Sequence, residues 1–261
     1  MKTLEKPFTE SVIKLKTKPK LKTPIFVTGL PGVGLVSKLT ADNLIKVTKA
    51  KHYGTLYSPH FPNQILTLEN GRIRVFAIQL YHGKIGKRDI VITKGDLQPM
   101  TVEGQYEVST QLLSYFSSLG GGPVISMAGY AVNHSIESPG VFIASTSKKL
   151  VQEFVAAGAK PSGRVIPIIG MAGLLPAYAK LYGFKGACLL VETPGPIIDA
   201  KGAISLTGVL AKYLKTEIGT DDLSKRAKKT AKAVAEFERQ QTEAAKANTT
   251  PVLPGQLSYI H

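Results

Sequence analysis

The sequence has little cysteine, no tryptophan and few acidic residues. Its 261 residues include one Cys and 18 Asp and Glu, against 33 Lys and Arg. A single Cys excludes an internal disulfide and a Cys-rich metal site. Cys188 lies in the apolar run ACLLVE, which is typical of a buried strand. We therefore expect Cys188 to be a small core residue and not a catalytic thiol.

The shortage of acids leaves a formal net charge of +15, which favours contact with an acidic partner. A solvated basic surface explains the same charge more simply. Nucleic acid is the weakest partner hypothesis, because no aromatic residues are interleaved with the lysines and no recognised nucleic-acid module is present.

Long apolar segments are also missing. No stretch approaches the roughly 20 apolar residues of a membrane span. The first twelve residues, MKTLEKPFTESV, have no apolar core of the kind found in signal peptides. We expect a soluble, cytoplasmic protein without a membrane partner.

The usual catalytic patterns are absent. The sequence contains no G-x-S-x-G nucleophile motif and no pair of His at i, i+4 that could bind a metal. Polar residues do follow predicted strands, where α/β sheets bind ligands, and they could converge on a crevice. These candidates are Asp96, Ser126, His134, Glu137 and Glu192. A structural role is the preferred interpretation for each, so we predict no enzyme, no cofactor and no metal.

Short apolar runs alternate with segments of helical periodicity between residues 24 and 215, which predicts one α/β domain with a mostly parallel sheet covered on both faces. The predicted strands are PIFVT, TLYS, DIVIT, PVISMAGY, VFIAS, VIPIIG and ACLLVE. The segment QILTLENGRIRVFAIQLY predicts an inserted hairpin that turns at Asn70-Gly71. Thr101 is predicted to cap a helix that ends at the glycines 120–122.

The two ends of the chain differ from this domain. Residues 1–23 hold seven Lys and two acids, which fits an edge strand and a basic arm equally well. Residues 216–246 are predicted to form a C-terminal helix with a thin apolar stripe. Residues 247–261 have the composition of a flexible tail. This tail ends with four residues that a solubilising tail would not need, namely Leu257, Tyr259, Ile260 and His261.

Residues 27–38, VTGLPGVGLVSK, look like a phosphate-binding loop. Such a loop needs a Lys for the terminal phosphates and a hydroxyl for magnesium, but Leu35 and Val36 occupy those places. The glycine order is also not that of a dinucleotide loop. Backbone N–H groups at Gly29, Gly32 and Gly34 could still hold an anion. A tight turn that needs small residues for packing is the preferred interpretation.

The motifs taken together resemble the archaeal members of the proteasome assembly chaperone family. The motifs that carry the resemblance over residues 24–240 are GLPGVG, KGDLQP, a glycine cluster, and GMAGLLPAYAKLYGFKGACLLVETPG. The resemblance implies a three-layer α/β/α fold related to nucleoside phosphorylases and peptidyl hydrolases but used without known catalysis. It also implies homo-oligomers that bind α-subunits of the proteasome core.

Some family members end in a hydrophobic–Tyr–any-residue motif that inserts between α-subunits, and this motif would place its Tyr at Tyr259. Here Tyr259 is third from the end, and Ser258 precedes it where an apolar residue belongs.

From the resemblance we expect a non-enzymatic assembly chaperone or proteasome-interacting scaffold. The alternative is a small-molecule-binding protein or a hydrolase- or phosphorylase-type enzyme that uses a crevice near Gly32, Asp96, His134 and Glu192.

Overall fold

The structure is a computed structural model that describes residues 8–134, 136–195 and 197–230. Its strands are β1 (Val12–Leu15), β2 (Ile25–Gly29), β3 (Lys51–Tyr57), β4 (Ile65–Thr67), β5 (Ile73–Val75), β6 (Ile78–Ile85), β7 (Arg88–Gly95), β8 (Val124–Ala131), β9 (Val141–Ser145), β10 (Lys160–Pro161) and β11 (Gly186–Thr193). Its helices are α1 (Val36–Val47), α2 (Val102–Ser117), α3 (Lys148–Ala156), α4 (Met171–Ala179) and α5 (Ala200–Leu214), followed by α6, described over 221–230. Short 3-10 turns precede α1 and follow α4.

Nine strands form the central sheet in the order β1–β3–β6–β7–β2–β8–β11–β9–β10. The strands at its centre, β7, β2, β8 and β11, are parallel to their neighbours in that group. Antiparallel pairs are confined to the β1–β3–β6–β7 side and to the contact of β11 with β9. The remaining two strands, β4 and β5, form a separate sheet.

Helices cover both faces of the sheet because its central strands are apolar on both sides. Every residue of β2 is buried. Ile25 and Val27 pack in one cluster with residues of α1, α3 and α5, whereas Phe26 packs in another with residues of α2 and α4. This arrangement follows from the alternation of side chains along a strand. The predicted three-layer α/β/α fold is confirmed.

The predicted hairpin is present, but it is shorter than expected. β4 and β5 pair across the Asn70-Gly71 turn, where Gly71 has a φ of 77°. The second arm ends at Val75, and the chain then joins the central sheet as β6. β6 turns into β7 at Gly86, whose φ is 57°. The sequence analysis missed this second hairpin, although the Gly86-Lys87 pair was its signal.

The prediction of a strand at VIPIIG is wrong. Residues 165–170 form no strand, and the Val165 side chain is 100% exposed. Pro167 lacks a backbone N–H for strand pairing. The place beside β11 is taken by β9, which pairs with it from Val141 to Ser145. The apolar run instead forms a loop over the end of the sheet.

The helix boundaries follow local capping signals. The Thr101 hydroxyl accepts a hydrogen bond from the Gly104 N–H at 3.0 Å, as predicted for the first residue of α2. At the start of α3, the Ser147 hydroxyl likewise accepts a hydrogen bond from the Leu150 N–H. Gly158, with a φ of 100°, follows the end of α3.

Both ends of the described chain are attached to the sheet domain. β1 is the edge strand of the central sheet. Leu223 of α6 is buried in a cluster with Leu39, Ala200 and Ala203. Within residues 8–134, 136–195 and 197–230, no helix is long and apolar enough to cross a bilayer.

Candidate functional site

A cavity of about 400 Å³ lies at the carboxyl ends of β2, β8 and β11. The helix after β2 packs on one face of the sheet, and the helix after β7 packs on the other. The helices that follow the neighbouring parallel strands β2 and β7 thus lie on opposite faces of the sheet. Such a switch opens a crevice at the strand ends, which is the usual ligand position in open α/β sheets. The apolar side chains that line it include Leu30, Met127, Ile166, Ile168, Ile169 and Leu190.

Two glycines of the loop between β2 and α1 are required by packing. A Cβ on Gly29 would lie 2.0 Å from the Cβ of Ala41 in α1. Gly34 has a φ of 65°, and a Cβ there would lie 2.6 Å from the Thr193 hydroxyl. The Gly34 N–H donates to the Gly195 carbonyl, and the Leu35 N–H donates to the Gly32 carbonyl, both at 3.0 Å. These contacts favour the turn interpretation over an anion loop.

Gly32 is different from these two glycines. Its φ of −161° is extended backbone that any residue adopts. A Cβ built on Gly32 would meet no atom within 4 Å. Gly32 lines the cavity, so neither packing nor backbone conformation explains why this position is glycine.

Gln98 joins three segments beside the cavity. Its side-chain Nε2 donates to the Pro31 carbonyl of the glycine loop at 2.8 Å, and its Oε1 accepts from the Met171 N–H at 3.0 Å. In the sequence analysis, Gln98 entered only as a letter of the KGDLQP motif. Its role depends on contacts 67 and 73 residues away along the chain, and no local pattern signals such contacts.

The loop of residues 164–170 covers one side of the cavity. The Arg164 guanidinium donates to the Tyr130 hydroxyl and lies 5.8 Å from the centre of that ring. At its other end, the loop is held by the hydrogen bond from the Met171 N–H to the Gln98 side chain. The loop is therefore anchored at both ends, and its apolar residues between these anchors face the cavity or solvent.

The predicted candidate Asp96 forms an ion pair with Arg74 of β5. Its Oδ1 accepts from the Arg74 Nη2 at 2.9 Å, and its Oδ2 accepts from the Arg74 Nη1 at 2.5 Å. Oδ2 also accepts from the Ala77 N–H. Burial opposes ionisation of this carboxyl, but the Arg74 hydrogen bonds and charge outweigh it and lower the pKa of Asp96. Asp96 thus attaches the β4–β5 hairpin to the main sheet.

The other polar candidates are not among the described residues that line the cavity. Glu192 accepts from the Gly140 N–H at 2.8 Å and holds the segment before β9. The Ser126 hydroxyl is buried and donates to the Ala172 carbonyl. His134 and Glu137 are exposed in the connection after β8. Asp96, His134 and Glu192 are not among the described residues that line the cavity.

The residues that line the cavity bear on its acid–base chemistry. Among the described residues that line it, none carries a formal charge, and Tyr130 is the only titratable one. In the described part of the chain, no group of three or more His, Cys, Asp and Glu residues could hold a metal ion. Cys188 is buried as predicted, and burial raises the pKa of its thiol to about 11.

Exposed apolar side chains lie on two segments next to the cavity. Met100, Val102 and Tyr106 at the start of α2 are 71%, 65% and 42% exposed. The loop of residues 164–170 adds Val165 and Ile169, and Gln98 ties that loop to the turn before Met100. We call these five residues the apolar rim. Clustered exposed apolar side chains of this kind are typical of protein-contact surfaces. The predicted tail residues Leu257, Tyr259, Ile260 and His261 lie outside the described residues.

Residues 26–238 match the PAC2 family. An uncharacterized protein of Methanocaldococcus jannaschii is 30% identical over 250 residues, which cover 95% of this chain and 96% of that protein. Among solved structures, the fold is similar to PbaB of Pyrococcus furiosus, an archaeal proteasome activator, with a TM-score of 0.83 and 34% identity over 88% of this chain and 99% of PbaB. It is also similar to PbaA of the same organism, an archaeal homolog of proteasome-assembly chaperone, with a TM-score of 0.75 and 28% identity over 90% of this chain and 95% of PbaA. The resemblance expected from the motifs is confirmed: this chain belongs to the PAC2 family.

Proposed function

We propose that this protein is a non-enzymatic, proteasome-interacting factor of the assembly-chaperone type. It binds proteasome α-subunits or the α-ring of the core particle, acts as a homo-oligomer and works in the cytoplasm. The observation that carries the proposal is the similarity to PbaB, at 34% identity over 88% of this chain and 99% of PbaB.

The geometry of the cavity supports a binding role over the enzymatic alternative. That alternative needs an acid or base within hydrogen-bonding reach of a common pocket. Asp96 is instead occupied by Arg74 and Glu192 by the Gly140 N–H. These carboxylates hold the fold together, and the cavity they were expected to serve is lined by uncharged residues.

The apolar rim supports contact with other protein chains. Val165 and Ile169 are 100% and 87% exposed. Covering such side chains with a partner gains roughly 25 cal/mol for each Å² removed from water. The basic balance of the chain adds electrostatic attraction toward an acidic partner surface.

The test is native mass spectrometry of the protein mixed with recombinant proteasome α-subunits and, separately, with assembled core particle. We expect a complex with at least one of them at micromolar concentration and moderate salt. A variant with Tyr259→Ala and Ile260→Ala tests the tail, and Gln256→Ala serves as its control. If the protein forms a complex neither with the α-subunits nor with the core particle, the proposed function is refuted. If the double variant fails to bind and Gln256→Ala binds normally, the tail makes the binding contact.

A further inference from the structure

We propose that the cavity at the carboxyl ends of β2, β8 and β11 is a binding site for a small, uncharged and mainly apolar molecule. This inference does not depend on the proposed proteasome role, since it concerns a cavity inside one chain. Its volume of about 400 Å³ falls in the range of small-molecule sites.

Hydrogen bonds hold the segments that bound the cavity in place. Gln98 fixes the glycine loop through the Pro31 carbonyl and fixes the start of α4 through the Met171 N–H. Arg164 fixes the first residue of the covering loop to Tyr130. A preformed site loses less conformational entropy when a ligand binds than a site that must first order its loops.

The chemistry of the lining selects an uncharged ligand. The described lining residues include no Asp, Glu, His, Lys or Arg that could pair with a ligand charge. The amide nitrogen and the amide oxygen of Gln98 are both hydrogen-bonded within the protein. The Tyr130 hydroxyl accepts a hydrogen bond from Arg164. A charged molecule would lose hydration here, and the Arg164 guanidinium beside the lining is already bound to Tyr130 and does not itself line the cavity, so ligand charge is unfavourable.

Gly32 gives an independent reason to expect an occupant. Glycine is the usual residue where a ligand approaches the backbone closely. At Gly32 the backbone is extended, and a Cβ would meet no protein atom within 4 Å, so the protein itself does not require glycine there. Gly32 lies on the wall of this cavity, and it also borders a second cavity of about 510 Å³ beside Leu35 and Gly195.

Ile169 shows what an occupant would gain. Its side chain lines the cavity and is 87% exposed, although Ile is among the residues that are most often buried. A bound apolar molecule would remove part of this side chain from water.

The experiment is a fluorescence titration of the full chain with 1-N-phenylnaphthylamine, a neutral apolar dye. A parallel titration at high salt uses 8-anilinonaphthalene-1-sulfonate, which is a similar dye with a negative charge. We expect saturable binding of one neutral dye per chain and about tenfold weaker binding of the charged dye.

Variants locate the bound dye. Gly32→Leu adds a bulky side chain at the cavity wall and is expected to weaken binding of the neutral dye about tenfold or more. Gly208→Leu is the matched control, because Gly208 lies on α5, a Cβ added there would meet no atom within 4 Å, and it does not line the cavity. Ala172→Leu fills the same cavity from α4 and is the second variant if Gly32→Leu does not fold.

A larger groove of about 800 Å³ between β1 and the β4–β5 hairpin is the competing dye site. Val75→Lys places a charge in that groove and is expected to leave the titration unchanged. The proposal is overturned if the neutral dye does not saturate, if Val75→Lys abolishes its binding, or if folded Gly32→Leu and Ala172→Leu bind it as well as Gly208→Leu.

Discussion

At the scale of single residues, the three glycines after β2 serve different purposes. Gly29 lets α1 approach β2, and Gly34 allows a positive φ next to Thr193. Gly32 meets neither need. The glycine pattern alone suggested one loop with one purpose, whereas the structure separates two packing positions from one position that faces a cavity.

These differences predict unequal effects of alanine. We expect Gly29→Ala and Gly34→Ala to lower the free energy of unfolding by about 1–3 kcal/mol each, through overpacking and backbone strain. Gly32→Ala is expected to change it by less than about 0.5 kcal/mol. Urea denaturation of the three variants measures this, and equal losses for all three would contradict the assignment.

The Arg74–Asp96 pair predicts a pH-dependent contribution to stability. The pKa of Asp96 is lowered in the folded protein from an ordinary value of 3.8. Its contribution is therefore complete above that value and is lost as the pH falls through the lower, folded pKa. Asp96→Asn should destabilise the protein at neutral pH by about 1–2 kcal/mol, and this difference should shrink as the pH falls below about 4.

The measurement is urea denaturation of the wild type and Asp96→Asn over a series of pH values. Glu153→Gln is the control, because this carboxylate lies 4.0 Å from Lys149 in an exposed pair and should contribute little. A constant difference between the wild type and Asp96→Asn at all pH values would show that Arg74 does not lower the pKa of Asp96.

Cys188 allows a direct test of burial. Desolvation raises the pKa of this thiol to about 11, so little thiolate exists at neutral or mildly basic pH, and the side chain is 1% exposed. We expect no reaction with a thiol reagent such as dithionitrobenzoate in the native protein and complete reaction in urea. Fast labelling of the native protein would place Cys188 outside the core.

At the scale of elements, α6 attaches to the domain through a few contacts. Leu223 is 2% exposed and packs against α1 and α5, and the Asn43 amide donates to the Gly219 carbonyl just before the helix. The sequence analysis predicted only a thin apolar stripe on this helix, and helical periodicity does not say which surface such a stripe packs against.

Shortening the Leu223 side chain tests this attachment. Leu223→Ala should lower the free energy of unfolding by about 2–3 kcal/mol, through lost burial and the cavity left behind. Lys225→Ala is the matched control on the exposed side of the same helix and should have little effect. If both variants unfold at the same urea concentration as the wild type, α6 is not packed on the domain in solution.

At the scale of the whole molecule, the apolar rim is the surface on which self-association is expected to depend. Val102→Asp combined with Tyr106→Asp should reduce the molar mass measured by light scattering after size exclusion, because it places charges in an apolar contact. The melting temperature of the fold should fall only slightly, because Val102 is 65% exposed and the change at Tyr106 removes one edge-on contact with Tyr178, whose ring centre lies 5.6 Å away.

Val47→Asp is the control for this prediction. Val47 is a 42% exposed apolar residue at the end of α1, away from the rim segments. If the rim variant and Val47→Asp both keep the wild-type molar mass, self-association does not depend on the apolar rim. If both show a lower molar mass, the added charge causes the dissociation and the position of the substitution does not matter.

The sequence by itself determined the layers of this protein. Buried strands such as β2 and β11 are continuous apolar runs, α2 begins at its cap Thr101, and a turn such as Asn70-Gly71 needs only adjacent residues. These features depend on interactions within a few positions of the chain, so local periodicity and turn chemistry were enough to predict them.

Only the tertiary structure decided which strand neighbours which and what the strand ends can do. The apolar run around Pro167 is not a strand of the sheet, because β9 pairs with β11 in its place. The Asp96 carboxylate does not serve the cavity, because it is hydrogen-bonded to Arg74. Gln98 became central through contacts with residues 67 and 73 positions away. Such outcomes are set by competition among distant segments for the same space and the same hydrogen bonds, and no single stretch of sequence records that competition.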